Sequence, residues 1–529
     1  MIQISSNRLL LLSLGLTLAA GLGCGSATSN LQPPPVTVVT RVVTGVFLDA
    51  ATRQPIAATL NVSVHDQTGA LATTTVDVNG LPVSQAQVKD GVASFRIAES
   101  ASLPQILTIV AGGPGYASGS TTVIVTSAAG ATFKLALVNV GAPPPGVTAA
   151  TPPAGTASST GVLSTTVTLT TPVDPVTGGQ ATVTIPASTV LTTAGGKPLS
   201  GALTAQVESF DNVDGTSLAA FPGGLASGPG PAGTSGGVFI SGGFLAVRLT
   251  DAAGDVARSS SSAITVTVPV PAGTVNPVTR LPVQAGQVVP FWRYDEGTGQ
   301  WSSAGTVTLG ALVNGNYLAT AQVTQLGYYN VDWLQGRCAA TPQLAITGAQ
   351  LQPISLQMKA DGGGFFEEIP LSGLGMYDVP LPDAPQGVPV TITAVFNGLP
   401  VGSLSVPDLC TGGPFSMSVA MPAIELANLY VTAVQVCSAD PSKTSVLPSA
   451  TAVVLPKTGG DPRILLTDIS GKAGFLELLA GVPYNLSLTP FDGTSTTVSV
   501  TPAKGDNSVT VTVPVSCGIT VTGTGGSGF

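Results

Sequence analysis

The spelling nearest to a reactive site is Gly233-Thr234-Ser235-Gly236-Gly237, which has the Gly-x-Ser-x-Gly spacing of a serine nucleophile elbow. That chemistry needs a strand-to-helix turn and a histidine base within hydrogen-bond reach. The Pro/Gly/Ser-rich run around Ser235 predicts a loop, and the single histidine, His65, falls in a different expected domain. His65 lies between Val64 and Asp66 in a strand-like stretch and reads as a surface or edge side chain. Two acidic groups, Asp211-Asn212-Val213-Asp214-Gly215 and Asp251–Asp255, offer oxygen ligands of the type calcium takes. Asx turns explain both equally well. A glycosidase needs only a carboxylate pair, but at 5% aromatics no aromatic-lined cleft is indicated. No catalytic residue and no metal ligand is assigned. The expected cofactor is none, with structural calcium left open.

Cysteine and tryptophan carry more information. Cys338, Cys410, Cys437 and Cys517 remain once Cys24 is set aside. An even number in an exported chain favours disulfides. There is no Cys-x-x-Cys, and His65 is far away, which argues against a metal centre. Three pairings exist; the spacings favour Cys338–Cys410 and Cys437–Cys517, each bracketing one domain-sized block. Trp292 and Trp301 flank a hairpin with its turn at Asp295–Gly299, and Trp333 closes the same block. The three tryptophans predict a core cluster. The functional alternative is a sugar-stacking platform of Trp292, Tyr294 and Trp301.

The elements that must position these residues are strands. Charged residues make up only 9% of the 529, and the deficit is filled by 65 Gly, 43 Pro and much Thr, Val, Ala and Ser. Branched residues dispersed among Thr and Ser fit half-buried pleated surfaces. Long windows rich in Glu, Lys, Arg and Leu at the helical period are missing. The fold class is therefore all-β, and the length calls for about three to five domains. A mean hydropathy of +0.44 would suit a membrane protein. Past the N-terminus, however, no apolar run reaches the roughly 18 residues of a spanning helix. The net charge of −9 and the scarcity of clustered Lys and Arg exclude nucleic acid as a partner.

The N-terminus reads as an address. Arg8 precedes the apolar stretch Leu9–Leu22, and residues 1–23 have the parts of a secretory signal. The run Ala19-Ala20-Gly21-Leu22-Gly23-Cys24 resembles a bacterial lipobox, which implies diacylation of Cys24; residues 24–35 would then be a flexible tether. Gly21 and Leu22 depart from the usual pattern, and plain signal-peptidase cleavage is the competing outcome. Position 25 lacks the Asp that would retain such a protein at the inner membrane. The expected location is thus exported and lipid-anchored at the outer membrane or cell surface, with the periplasmic face left open.

Four blocks follow, expected as Ig-like or transthyretin-like β-sandwich domains in series. Residues 36–140 hold Gly45-Val46-Phe47…Asp49-Ala50-Ala51-Thr52-Arg53-Gln54-Pro55-Ile56, then Asp90-Gly91-Val92-Ala93-Ser94-Phe95, then Gly115-Tyr116. That order resembles the carboxypeptidase regulatory-like domain, which implies a transthyretin-like accessory module without catalytic residues. Residues 141–160, with Pro143-Pro144-Pro145 and Pro152-Pro153, read as a linker. Residues 161–334 form a larger sandwich whose Trp292…Tyr294-Asp295-Glu296-Gly297-Thr298-Gly299…Trp301 hairpin resembles ZU5-type and cartilage-intermediate-layer-like domains. Residues 337–423 and 424–518 look like diverged regulatory-like modules, the latter through Asp468-Ile469-Ser470-Gly471 and Gly481-Val482-Pro483-Tyr484. Residues 519–529 read as a flexible tail.

These observations point to a non-catalytic cell-envelope lipoprotein that acts as a structural or adhesive surface protein. The alternative is a carbohydrate-binding or envelope-assembly lipoprotein. The expected partners are the membrane, through the lipid, and a surface polysaccharide or protein.

Overall fold

The computed structural model describes residues 30–31, 33–77, 79–88, 90–227, 236–348, 354–371, 377–396, 398–491, 495–517 and 519–520. Cys24, the leader and Ser235 lie outside the described residues. The chain is all-β, with β-sandwiches following one another in series. Among the described residues the helical elements are the single turn Gly215–Ala219 and the 3₁₀ turn Leu225–Ser227, and no helix is long and apolar enough to cross a membrane.

Two units are distinguished: Val36–Val434 with Val446–Val513, and Met1–Pro35 with Gln435–Ser445 and Pro514–Phe529. The first unit begins with a sandwich of two four-stranded sheets. One is ordered Thr75–Val76, Val92–Ile97, Val42–Asp49, Ala131–Leu137; the other Gln85–Val88, Leu60–His65, Gln105–Gly113, Tyr116–Val125. The Asp49–Gln54 turn explains its own sequence. Asp49 Oδ1 accepts from the Ala51 and Thr52 amides at 3.0 and 2.9 Å, and Tyr116 Oη donates to Asp49 Oδ2 at 3.1 Å. Gly91 must be glycine: its φ is +66°, and a Cβ there would stand 2.8 Å from Ile56 N and 2.9 Å from Phe47 O.

The stretch 141–160, expected as a linker, is instead part of the central sheet system. Val147–Ala150 and Pro153–Ala157 both pair antiparallel with Gly201–Phe210. Ala154 and Ala157 are buried while Pro153 sits exposed on the strand. Proline is tolerated on an edge strand, where its missing N–H costs no ladder bond.

The central system continues through Gly201–Phe210, Val238–Asp251, Gly327–Gln335, Val288–Asp295, Gln300–Val313, Asn316–Gln325 and Ser259–Pro271 to Thr182–Ile185 and Val167–Thr170. Gln300–Val313 joins its two halves. Residues 300–308 pair with Val288–Asp295, while Leu309, Leu312 and Val313 pair with Asn316–Gln325. Such strands make the corner of a sandwich by switching sheets, and a register shift opposite Phe291/Trp292 bends this one.

The third sandwich sets Tyr377–Pro380, Gln343–Thr347 and Phe415–Ser418 against Phe366–Leu371, Ile354–Ala360, Val390–Phe396 and Leu399–Val406. In the fourth, Arg463–Leu466, Thr451–Pro456, Tyr484–Thr489 and Thr496–Val500 face a sheet that includes Leu426–Cys437 and Lys472–Leu479.

In the second unit Asn30–Leu31 pairs with Ile519–Thr520. Ser445 Oγ donates to Pro34 O and Gln435 Nε2 to Pro35 O, each at 2.7 Å. The expected flexible tether and tail are therefore structured over these residues, because their backbone groups find partners.

Candidate functional site

Two of the sequence-predicted aromatics, Tyr294 and Trp301, come together in one cross-strand row. Adjacent strands place Ala149, Glu208, Ala246, Tyr328, Tyr294 and Trp301 in successive register. Directly paired residues share a face of the sheet, so the row forms one surface. Phe221, from the segment after the short helix, stacks on Trp301 at 4.6 Å between ring centroids, and Trp301 Nε1 donates to Pro222 O at 2.8 Å. Tyr294 meets Tyr328 edge to face at 5.8 Å. These are the offset and edge geometries that aromatic quadrupoles favour.

The other side of this row is the first sandwich. Tyr328 Oη donates to Ser118 O at 2.5 Å, Gln300 Nε2 donates to Gln67 O at 3.0 Å, and Gly223 N donates to Ser120 O at 3.0 Å. Gly299, at φ +72°, has Thr108 Cγ2 2.6 Å from where a Cβ would stand. The aromatic cluster is thus a seam between sandwiches as well as a core. Tyr294 is wholly buried and Trp301 is 5% exposed. The platform expected of Trp292, Tyr294 and Trp301 is not presented by Tyr294 and Trp301, because the 221–222 segment and the first sandwich cover them. Trp292 is half-buried, with Nε1 donating to Asp332 O at 3.1 Å and its ring against Phe239 at 5.2 Å. Trp333 is buried in the same core.

Two acids in this region do not stand out in the sequence. Burial pushes the Glu208 carboxyl up to about 8, and Gln206 Nε2 donates to it at 2.6 Å. Burial likewise holds Asp332 well above the usual carboxylate range, with Asn330 Nδ2 donating to its Oδ2. Glutamate in an otherwise alternating strand is the only signal available for Glu208.

A second seam joins the first and fourth sandwiches. Thr44 Oγ1 meets Thr451 Oγ1 at 2.7 Å and Ser94 Oγ at 2.8 Å, while Ser449 Oγ donates to Val39 O and accepts from Val39 N, both at 3.0 Å. Val46 and Leu48 pack on Val453. Arg53 pairs with Asp461 at 2.5 Å, with Glu368 of the third sandwich 3.8 Å away. All eight residues of Val42–Asp49 are buried as a result.

Two disulfides form: Cys338–Cys410, with Cα atoms 4.9 Å apart, brackets the third sandwich, and Cys437–Cys517, at 5.5 Å, joins two segments of the second unit. His65 departs from the expected edge position and is 4% exposed. Its Nδ1 lies 3.1 Å from Gly69 O and its Nε2 2.8 Å from Ser63 Oγ. A carbonyl partner makes Nδ1 the donor, so Nε2 accepts from the serine. The resulting Ser–His pair staples a turn, since Gly69 packs under Thr298 and Gln300. Asp251 Oδ1 accepts from Ala253 N and Asp255 N at 2.9 and 3.0 Å, an ordinary Asx turn.

No known protein-family profile matches this chain, and no curated relative does either. Solved structures give distant likenesses. The Bacillus anthracis TIE protein is 12% identical with a TM-score of 0.15 over 70% of this chain, which spans 57% of that protein's length. BcpA, the major pilin subunit of Bacillus cereus, is 10% identical with a TM-score of 0.14 over 90% of this chain and 99% of its own. A streptococcal ancillary pilin is 10% identical with a TM-score of 0.13, covering 44% of this chain and 95% of its own. Likeness at this level carries no inference about activity or partners.

Proposed function

We propose that this chain is an exported, non-catalytic surface protein of the cell envelope, tethered by a lipid on Cys24, whose sandwiches form a rigid structural or adhesive body. The observation that carries the reading is the pair of disulfides, Cys338–Cys410 in the first unit and Cys437–Cys517 in the second. Such bonds persist in oxidising compartments and are rare in reducing ones. The signal-like residues 1–23 and the lipobox-like run ending at Cys24 supply the route. The seams supply the rigidity, since strands such as Val42–Asp49 are buried on both faces. A sugar-binding role keeps only the half-buried Trp292 of its expected platform, with Tyr294 and Trp301 covered.

Protease shaving of intact cells, wild type against Cys24→Ala, tests the proposal. Fragments should be released from wild-type cells, with the variant free in medium or periplasm. Protection in intact cells, lost only when the outer membrane is opened, would move the protein to the periplasm and remove the surface role.

A further inference from the structure

Three connections of the central sandwich converge on one small cavity. Asp174 comes from the connection between Val167–Thr170 and Thr182–Ile185, Asp211 follows Gly201–Phe210, and Asn316 follows the Asn314-Gly315 turn. Ser209 and Thr177 also line the cavity, whose volume of about 10 Å³ admits one water-sized occupant. The three principal side chains are 6%, 7% and 1% exposed, respectively.

Each side chain is already fixed by other bonds. Asp174 Oδ1 accepts from Val176 N and Thr177 N at 2.8 and 2.7 Å. Asp211 Oδ1 accepts from Val213 N and Asp214 N at 3.0 and 2.9 Å. Asn316 Nδ2 donates to Thr177 O and Asn314 O at 2.8 and 2.9 Å, which settles the orientation of the amide. Asp211 Oδ2 and Asn316 Oδ1 are left buried with no hydrogen-bond partner. Beside these acceptors the cavity is lined by the hydroxyl-bearing Ser209 and Thr177. The charges acting on Asp211 are the negative ones of Asp174 and Asp214.

We propose that this cavity is a calcium site, with Asp211 Oδ2, Asn316 Oδ1 and the Asp174 carboxylate as its protein ligands. Two buried acceptors without a hydrogen-bond partner suit a cation, since burying an unpaired carboxylate oxygen is otherwise costly. An all-oxygen set excludes zinc's preference for nitrogen and sulfur. Calcium accepts irregular geometry and mixes carboxylate with amide oxygens, whereas magnesium demands a near-ideal octahedron. Bound there, the ion would tie together the three connections. Asp214, already the cap of the short helix through Thr216 N, is left to its capping role.

The test is calorimetric titration of calcium chloride into the full chain after stripping with a chelator. Wild type should bind one ion, with a dissociation constant on the order of 10⁻⁴–10⁻³ M as in extracellular modules. Asp211→Asn keeps the oxygen that caps the turn but puts an amide donor in the cavity, and should weaken binding at least about tenfold. Asp251→Asn alters an Asx turn elsewhere and should bind as wild type. Should Asp211→Asn fail to fold, Asp174→Asn carries the same expectation. The proposal is overturned if wild type shows no saturable binding up to about 10 mM. It is equally overturned if a folded Asp211→Asn or Asp174→Asn binds like wild type, or if Asp251→Asn is the variant that loses the ion.

Discussion

The first sandwich meets its neighbours through two seams of opposite chemistry. Toward the central sandwich it lies on the row of Glu208, Tyr328, Tyr294 and Trp301, with large rings and a tyrosine hydroxyl reaching Ser118 O. Toward the fourth sandwich it offers Thr44, Ser94, Val46 and Leu48, and receives Thr451, Ser449 and Val453. Rings bury much apolar area each and dominate the energy of a contact. Small hydroxyls bury little, but a buried hydroxyl tolerates only partners that satisfy it. The aromatic seam therefore supplies adhesion and the hydroxyl seam supplies register.

Removing the ring at the end of the aromatic row should cost most. Trp301→Ala deletes the stack on Phe221 and the bond to Pro222 O, and opens a cavity in a side chain only 5% exposed. Urea unfolding should show a loss of about 3–5 kcal/mol. A loss under about 1 kcal/mol would mean that the ring stands free in solution and that the seam is not closed.

Glu208 sharpens the comparison by its pH dependence. Its carboxyl stays neutral in the folded chain up to about 8, against an ordinary value of 4.5. The folded state then holds a proton that the unfolded state releases. The stability contribution is complete below about pH 4.5, and declines as pH rises toward 8. Glu208→Gln should flatten that decline, gaining on the order of 1–3 kcal/mol over wild type at pH 8 and above. An unchanged slope between pH 5 and 8 would show that Glu208 reaches water and that the row is open there.

The strands and the tryptophan hairpin are legible in the sequence because turn chemistry and alternation are local. Asp49, Thr52 and Tyr116 read as one motif, and the structure shows them bonded as a turn lock. The linker reading fails because Pro152-Pro153 signals a break, whereas proline on an exposed strand edge breaks nothing. The edge reading of His65 fails because its neighbour Asp66 is polar; the ring's burial depends on a hairpin some 230 residues later, with Gln300 and Gln67 separated by 233 positions. The calcium cavity illustrates the same limit. Asp211 stands out among its sequence neighbours, but Asp174 and Asn316 reach it only through the sheet. The hydroxyl seam does leave a trace. Val42-Val43-Thr44-Gly45-Val46-Phe47-Leu48 lacks the polar alternation of a half-exposed strand, Thr44 being its one polar residue, and a near-continuous apolar run marks burial on both faces.

That run permits the finest test of the hydroxyl seam. Along Val42–Asp49, Val43 and Phe47 point into the first sandwich's own core, while Val46 and Leu48 turn to the fourth. Thr44 shares the outward face and is wholly buried, as is Thr451. Its hydroxyl donates to Ala93 O at 3.1 Å and so accepts from Ser94 or Thr451. Thr44→Val keeps the shape but leaves those hydroxyls short of an acceptor, at a cost of about 1–2 kcal/mol. Thr44→Ser retains the acceptor and should lose less. Adding Thr451→Val to Thr44→Val should recover part of the deficit, because the opposing hydroxyl is then no longer stranded. Hydrogen exchange resolved to Val42–Asp49 and Thr451–Pro456 should quicken together in the single variant and in no other sandwich. Quickening of Val42–Asp49 alone would mean that Thr44 serves only its own sheet, leaving the contact to Val46, Leu48 and Val453 with the Ser449 and Arg53 bonds.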